Sequence, residues 1–453
     1  MSEAKLKKAL KKANRRAEKY KKQFTNERKN RVKAQQQTDK EKRLRVKAQR
    51  EVKKYKEREE ERTAMWTALE SRNKNFMNLS DIALFLLVVM ENASKDTAMV
   101  KHLTRLDRDV FDHLLELFED CIINDPDMKQ HFREDQTRKT DPGNQCNLTF
   151  RQLLLMALMS KAHDLPQKML GLLFAIDQST VSDYLKMGDD IFDKVLKPTP
   201  YNIQELIANV KTLKELKELL PGRGAGQITI DGIEIRARRP QDNAIRKERY
   251  SGKKKTFTIG TITVVNKPNY IVGISESCEG SHHDMNICAN NMPILQRWID
   301  NAMKCIIAES KESGREYGKQ DLLRVLLDLG FQGFEKYYPD TNAILPHKKP
   351  KNGQLTKTQH LQNKTRSRNR IPIEHSNAGV KIFSRVNGPY KGTPRELNRE
   401  LNIVCGLYNL QKMWNDGTYW KWRDKIVQME EDMGKKEKRR KKTAATRSAA
   451  ASA

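Results

Sequence analysis

Residues 226–235 read GQITIDGIEI, and this stretch decides the fold class. Apolar and polar residues alternate along it, which is the pattern of a β-strand with one buried face. Two more strand patterns follow at residues 255–265 (KTFTIGTITVV) and 270–277 (YIVGISES), separated by the turn residues NKPN. The sequence therefore predicts a meander of three strands from residue 226 onward.

The chain then changes to a helical composition over roughly residues 284–321 and returns to strand patterns at 324–328 (RVLLD) and 342–348 (NAILPHK). A three-strand meander followed by helix, strand, strand and a further helix is typical of an α/β domain with a mixed sheet.

The region before the sheet is predicted to be all-α. Residues 80–122 contain two apolar helices, and residues 148–196 contain helices at 149–162 and 166–175, a turn at 176–178 and a third helix with Ser179 as N-cap. This order fits a helix-turn-helix, although three helices packed without DNA contact use the same apolar spacing. In the first case the side chains facing DNA would be Gln178, Ser179, Thr180 and Ser182.

The charge of the chain points to a polyanionic partner. The 453 residues carry a net charge of +29 with a pI near 9.7, and residues 1–62 hold 25 Lys and Arg against 10 Asp and Glu. Such a surplus favours nucleic acid as the partner. Residues 1–75 are predicted to be a long basic helix or weak coiled coil, with a solvated disordered tail as the open alternative, and residues 426–453 are predicted to be a basic disordered tail.

Composition also limits the compartment. The six cysteines form no CxxC pair, and the longest apolar run, IALFLLVVM at 82–90, is shorter than the roughly 20 residues that a bilayer span needs. We therefore expect an intracellular protein located with DNA, in the nucleoid or cytoplasm of a prokaryote or the nucleus of a eukaryote, and no membrane partner.

Three acidic residues occupy positions suited to metal chemistry. Asp231 follows the predicted strand QITI, Asp328 follows RVLL, and Glu374 lies in RNRIPIEHSNAGVKIF, a predicted helix that starts after Pro372. Carboxylates at adjacent strand ends can bind two magnesium ions, which activate an attacking oxygen and stabilise a leaving one. Spacing alone is weak support, because the chain has 58 acidic residues and Asp328 could simply cap the following turn.

The blocks TIDGIEIRARRP, YSGKKKTFT, GSHHD, LLDLGFQG, LPHKKPKNGQLT and IEHSNAGVK occur in that order along the chain. Together they resemble the DDE transposase domain of the insertion-sequence-five superfamily, in its branch with an EHxxxGxK ending, a superfamily that also includes the Harbinger elements. The resemblance runs from about residue 148 to about 390.

The resemblance implies an RNase H-like fold for a catalytic domain at residues 201–425, preceded by a helical DNA-binding domain at 76–200. It makes Asp231, Asp328 and Glu374 the metal ligands and catalytic residues, with two Mg²⁺ ions for which Mn²⁺ is expected to substitute. Lys381 lies two helical turns beyond Glu374 and is interpreted as a phosphate contact.

Two other segments have more than one interpretation. Lys253, Lys254 and Lys255 in SGKKK are expected to contact the DNA backbone, although lysines before an exposed strand also protect sheet edges. The segment from Cys278 to Cys288 contains two Cys and two His, but their spacing is not a standard zinc pattern, and we expect Asp284 to start a helix and orient nearby loops.

The sequence hypothesis is a DNA transposase that binds terminal inverted repeats, cleaves the strands at the element's ends and joins the 3′-hydroxyls to target DNA. Holding two ends implies a homodimer or higher oligomer on double-stranded DNA. The alternatives are a domesticated transposase-derived DNA-binding protein, or a nuclease without transposition activity, and an RNA-binding coiled-coil protein, which would explain the basic ends but not the blocks from 231 to 381.

Overall fold

The computed structural model describes residues 95–125 and 148–451, together with positions 86, 89, 90, 92 and 93. The predicted basic extension at 1–75 lies outside the described residues. The described residues belong to one compact unit, Ser80–Ala453.

Seven helices precede the sheet within the described ranges. They are α1 (Thr97–Thr104), α2 (Arg108–Asn124), α3 (Phe150–His163), α4 (Gln167–Phe174), α5 (Gln178–Val195), α6 (Pro200–Asn209) and α7 (Leu213–Leu219). Helix α3 is buried on every side, from Gln152 to Ala162, because α1, α2, α4 and α5 all pack against it. The predicted second apolar helix of residues 80–122 and the three-helix order of residues 148–196 are both present.

The start of α5 differs from the sequence prediction. The N-cap is Asp177 rather than Ser179, because the Asp177 carboxylate accepts a hydrogen bond from the backbone N–H of Thr180 at 3.0 Å. Ser179 is instead inside the first turn, and its hydroxyl donates to Asp177.

The sheet is mixed, with the order β2-β3-β1-β6-β7, and β4 and β5 both pair with β3. Its strands are β1 (Gln227–Arg236), β2 (Tyr250–Ser251), β3 (Thr256–Asn266), β4 (Ile271–Ile274), β5 (Cys278–Glu279), β6 (Leu323–Leu326) and β7 (Thr341–Ile344). The β1–β3 ladder is antiparallel, whereas β6 pairs in parallel with both β1 and β7. The predicted α/β class with a mixed sheet is confirmed.

Strand β1 matches the strand predicted at residues 226–235, but Asp231 lies inside it and not at its end. The sequence prediction placed Asp231 after the strand, but the ladder with β3 continues from Ile228 to Arg236 and holds Asp231 opposite Thr263 in the strand interior.

The remaining helices surround the sheet. They are α8 (Asn243–Arg249), α9 (Asp284–Asn291), α10 (Pro293–Ser313), α11 (Phe334–Tyr337), α12 (Lys357–Val380), α13 (Pro394–Asn415) and α14 (Tyr419–Ala451), with 3₁₀ turns at Lys319–Asp321, Leu329–Phe331 and Ser384–Val386. Helix α9 packs on strand β3, and helix α12 packs on β1, β3 and β6.

Two predicted helix boundaries are wrong. Helix α12 starts at Lys357 and not after Pro372, because Thr356 and Gln359 form a capping box there, and Pro372 lies inside the helix. Helix α14 continues to Ala451, so residues 426–451 are helical where a disordered tail was expected. These residues are rich in Lys, Arg, Glu and Ala, which favour a helix, and no Gly or Pro occurs after Gly434 to end it.

Within the described ranges, no helix is both long enough and apolar enough to cross a membrane.

Candidate active site

Two aspartates lie opposite each other where strand β1 passes the end of strand β6. The parallel ladder pairs Thr229 with Leu326, and the same register continued by two residues aligns Asp231 with Asp328. Asp328 keeps an extended backbone, with φ −94° and ψ −176°, so both residues belong to the same face of the sheet. The structure thus brings together two of the acids singled out in the sequence.

Asp328 also caps the turn that follows it. Its Oδ1 accepts a hydrogen bond from the backbone N–H of Gly330 at 2.7 Å, as the capping interpretation of the sequence predicted. Oδ2 has no hydrogen-bond partner among the described residues, so the cap leaves one carboxylate oxygen for another ligand.

Asp231 holds its proton more tightly than an ordinary aspartate does. Burial, and to a smaller extent the negative charges of Asp328 and Asp284, raise the pKa of Asp231 to about 6 against the attraction of Arg370. The Arg370 guanidinium is 3.7 Å from Asp231 Oδ1, and its Nε is buried without a hydrogen-bond acceptor among the described atoms. The attraction of Arg370 therefore does not cancel the effects of burial and of the neighbouring carboxylates on Asp231.

Asp284 is a third acid at this place, and two glycines make room for it. A Cβ on Gly232 would lie 2.5 Å from Asp284 Oδ1, and a Cβ on Gly330 would lie 3.2 Å from Asp284 Oδ2. Since successive residues of a strand point to opposite faces, Asp284 approaches β1 from the face opposite Asp231. It is the first residue of α9, as the sequence predicted, but its place beside the two other aspartates was not foreseen.

Helix α12 lies on the face of the sheet to which Asp231 belongs, opposite Asp284, and one row of its residues faces the site. Arg370, Glu374, Asn377 and Lys381 recur at helical spacing and share a side of the helix. Asn377 Oδ1 accepts a hydrogen bond from the hydroxyl of Thr263 at 2.9 Å, and Thr263 is the partner of Asp231 across the β1–β3 ladder. Glu374 lies between these anchored residues, but its side chain is exposed and forms no hydrogen bond or ion pair within the described ranges.

Lysines from the SGKKK turn and from α12 complete the surroundings. Lys253 Nζ is 3.5 Å from Asp284 Oδ2 and 3.9 Å from Glu234 Oε1. Partial burial lowers the pKa of Lys253, but these two carboxylates outweigh it and the net change is upward. Burial and the nearby Lys254 lower the pKa of Lys381, against the attraction of Glu234 and Asp231.

The predicted triad is therefore assembled only in part. Within the described ranges, no three His, Cys, Asp or Glu side chains are arranged to hold a metal ion. Asp231 and Asp328 nevertheless suit a hard divalent cation, because they supply carboxylate oxygens on one face and Asp231 is buried without full charge compensation. Glu374 would have to approach them from α12.

The helix-turn-helix candidates lie at the start of α5. Gln178 and Ser179 are exposed, whereas Thr180 and Ser182 are half-buried. The hydroxyls of Ser179 and Thr180 both donate to the Asp177 carboxylate, and these hydrogen bonds hold the pKa of Asp177 well below its usual range. Two of the four residues are thus engaged in capping the helix. Of the expected phosphate contacts, Lys254 and Lys255 are exposed, as Lys253 is.

Sequence reasoning missed Asp284, Arg370 and Glu234 as members of this site. The sequence feature that could have indicated the approach of Asp284 is a pair of glycines. Gly232 directly follows Asp231, and Gly330 lies two residues after Asp328. A glycine beside each acid indicates close approach of another group to the strand end.

Comparisons with known proteins agree with this geometry. Residues 230–409 match the family model described as DDE superfamily endonuclease, a segment that contains Asp231, Asp328, Glu374 and Lys381. The chain is 25% identical over 283 residues, which is 62% of this chain and 87% of the relative, to the probable transposase for insertion sequence element IS702 of Microchaete diplosiphon. No solved structure matches the chain. Residues 230–409 are thus similar to a DDE superfamily endonuclease domain, and the chain is distantly similar to a probable transposase.

Proposed function

We propose that this protein is a DNA transposase of the EHxxxGxK branch, with an RNase H-like catalytic domain. It binds the terminal inverted repeats of an element, cleaves DNA strands at the ends and joins the 3′-hydroxyls to target DNA. The observation that carries this proposal is the register of β1 and β6, which places Asp231 and Asp328 side by side with a raised pKa for Asp231.

The acids have the chemistry of a metal-binding phosphodiester site. Asp231 and Asp328, with Glu374 closing from α12, would hold two Mg²⁺ ions, with Mn²⁺ as a substitute. When bound, the metal ions supply an activated attacking oxygen and stabilise the leaving oxygen at phosphorus. Hydrolysis of the element's ends and transesterification to the target both displace one oxygen from phosphorus, so the same three acids serve both steps.

The cations of the site act on the DNA. Arg370, Lys253 and Lys381 lie within electrostatic reach of the aspartates, which supports a role in holding a scissile phosphate beside the acids. Fixed cations at such a position stabilise the charge that develops on the phosphoryl oxygens. Ion pairs hold two of them in place before DNA arrives, Arg370 with Asp231 and Lys253 with Asp284.

Recognition of the repeats is assigned to α4 and α5, with Gln178, Ser179, Thr180 and Ser182 toward the bases and Lys254 and Lys255 toward phosphates. Because one element has two ends to hold, the protein works as a homodimer or higher oligomer on DNA.

The test is a strand-cleavage assay with Mg²⁺ on the inverted repeats that flank the gene. D231N, D328N and E374Q should each lose cleavage by about 100-fold or more, while duplex binding persists. The matched control is E335Q, an exposed acid seven residues beyond Asp328 that pairs with Lys319 at 3.0 Å, which should cut like the parent.

Cleavage that survives in the three acid variants would refute the assignment of the site. A parent protein that binds the repeats but never cuts them would instead identify a domesticated DNA-binding protein.

A further inference from the structure

The segment between strand β7 and the acid-facing half of α12 is cationic throughout. Residues 341–373 contain eight Lys and Arg and no Asp or Glu. Two of the eight are used internally: Arg366 donates to the carbonyl oxygen of Leu345 at 2.6 Å, and Arg370 faces Asp231. The other six are exposed, and they are Lys348, Lys349, Lys351, Lys357, Lys364 and Arg368.

These six cations have no counter-charge of their own. Lys348 donates to the amide oxygen of Gln332 at 3.1 Å, and none of the six is paired with a carboxylate of the described chain. Other cations of this protein are neutralised in place, as Lys161 is by Asp189 and Glu400 at 2.7 Å. Six uncompensated like charges on one segment repel one another, and a polyanion relieves that repulsion.

The cationic loop is fixed to the helix rather than free. The Asn363 side chain accepts a hydrogen bond from the backbone N–H of His347 at 2.8 Å and donates to its carbonyl oxygen at 3.0 Å. The Thr356–Gln359 capping box fixes the point where the loop enters α12. Because loop and helix are already ordered, binding a ligand here requires little further ordering.

The cations on the helix form a straight row. Lys357, Lys364 and Arg368 recur at helical spacing on the solvent side, and Leu361, in the same row, is 67% exposed. Lys357 and Arg368 are separated by roughly 16 Å along the axis. The row is on a different side of α12 from Glu374 and Asn377, so its charges can be changed without touching the acids.

We propose that the loop at residues 348–351 and the row Lys357, Lys364 and Arg368 form a DNA-backbone platform that holds duplex DNA independently of its sequence. The partner is a phosphodiester backbone, because exposed cations without carboxylate partners, on a segment that contains no Asp or Glu, match phosphates and not base edges. This inference rests on the proposed function, since the row Lys357, Lys364 and Arg368 lies on the same helix as Glu374.

The experiment measures binding of the full chain to two 30-base-pair duplexes, one carrying the element's terminal repeat and one unrelated in sequence, in EDTA and over a series of salt concentrations. The triple variant K357Q/K364Q/R368Q removes the row. Its matched control, K214Q/K304Q/K311Q, removes three exposed lysines of α7 and α10, and thus the same net charge, away from the platform.

The expected result is a decrease of at least about tenfold in affinity at 0.1 M salt for both duplexes. The slope of log K against log salt should fall by up to about 2.7, at about 0.9 for each phosphate that is no longer neutralised. The control triple should change the slope by much less. An equal decrease in both triples, or a decrease confined to the repeat duplex, overturns the proposal.

All six substituted side chains are exposed, so unfolding midpoints should match the parent. Equal midpoints show that a weaker affinity comes from the missing charges and not from unfolding of the protein. Because the assay contains no divalent metal, its outcome is independent of strand cleavage. D328N binding like the parent while the row triple does not would separate the platform from the acid site.

Discussion

The raised pKa of Asp231 predicts that the proposed catalytic site costs the protein stability. We expect the variant D231N to be more stable than the parent at neutral pH. Asparagine has the shape of the protonated aspartate and carries no charge to be buried, so it removes the cause of the cost while keeping the volume of the side chain.

The magnitude follows from the two pKa values. Burial raises the pKa of Asp231 from the ordinary 3.8 to about 6, and a tenfold difference in proton affinity corresponds to about 1.4 kcal/mol. The ionised folded protein is therefore destabilised by about 3 kcal/mol, an order-of-magnitude figure in which the attraction of Arg370 is already included. The Asp231 side chain is only 21% exposed, so solvent screens little of it.

The effect of Asp231 on the free energy of unfolding depends on pH, and the raised pKa determines whether it increases or decreases stability. Below pH 3.8 Asp231 is protonated in both the folded and the unfolded state and costs nothing, and stability falls as the pH rises from there through about 6. The advantage of D231N should be about 3 kcal/mol at pH 8 and roughly half of that at pH 5.

The assay is urea unfolding of parent and variant in EDTA at both pH values. D177N is the matched control, because hydrogen bonds hold the pKa of Asp177 well below its usual range and Asp177 is therefore ionised in both states at pH 5 and at pH 8. Its stability difference from the parent should be the same at the two pH values. If the advantage of D231N is absent, or does not grow between pH 5 and pH 8, the buried-carboxylate explanation is wrong.

Two further predictions concern the scaffold. The variant K161M should lose about 3–5 kcal/mol of unfolding free energy in urea, because Lys161 is buried between Asp189 and Glu400 at 2.7 Å from each and its loss leaves buried charge unpaired; adding D189N should recover part of the loss, and an unchanged K161M would contradict this account. The variant G379A should lose about 1–3 kcal/mol by the same measurement, because the new Cβ would lie 2.4 Å from the ring of Tyr408, and full stability would show that the ring moves freely.

The sheet could be predicted from the sequence because its strands alternate or run apolar in short, well-separated stretches. The strand at residues 226–235 was among them, but the placement of Asp231 inside it was not predicted, because the pattern weakens at Asp231 and Gly232, where the ladder with β3 keeps the chain extended. Tertiary hydrogen bonding thus overrode a local turn preference at the position that matters most for the site.

The start of α12 was also predicted wrongly, here because a local signal was given too much weight. Pro372 predicted a helix beginning, since proline is favoured in the first turn and disrupts the interior. The capping box of Thr356 and Gln359 starts the helix sixteen residues before the predicted start, and the helix continues through the proline. Two short polar residues were a better guide to the boundary than the proline was.

Asp284 could not be assigned from the sequence, because its neighbours at the site come from distant segments. Gly232 and Gly330 approach it from β1 and from the turn after β6, and nothing local to Asp284 encodes that meeting. Asp231 and Asp328 were singled out because each ends or interrupts an apolar strand, which is a local feature, and the resemblance to the transposase blocks then made them the proposed ligands.

The alignment of Asp231 with Asp328 depends on a very short stretch of backbone. Only the pairs 227–324, 228–325 and 229–326 join β1 to β6, and a shift of one residue would move every later side chain of β6 to the other face. A single residue inserted between Leu327 and Asp328 would therefore turn Asp328 away from Asp231 while leaving these three backbone pairs unchanged. The proposed chemistry therefore depends on the number of residues between the β1–β6 ladder and Asp328. One additional residue at this point would separate the paired acids.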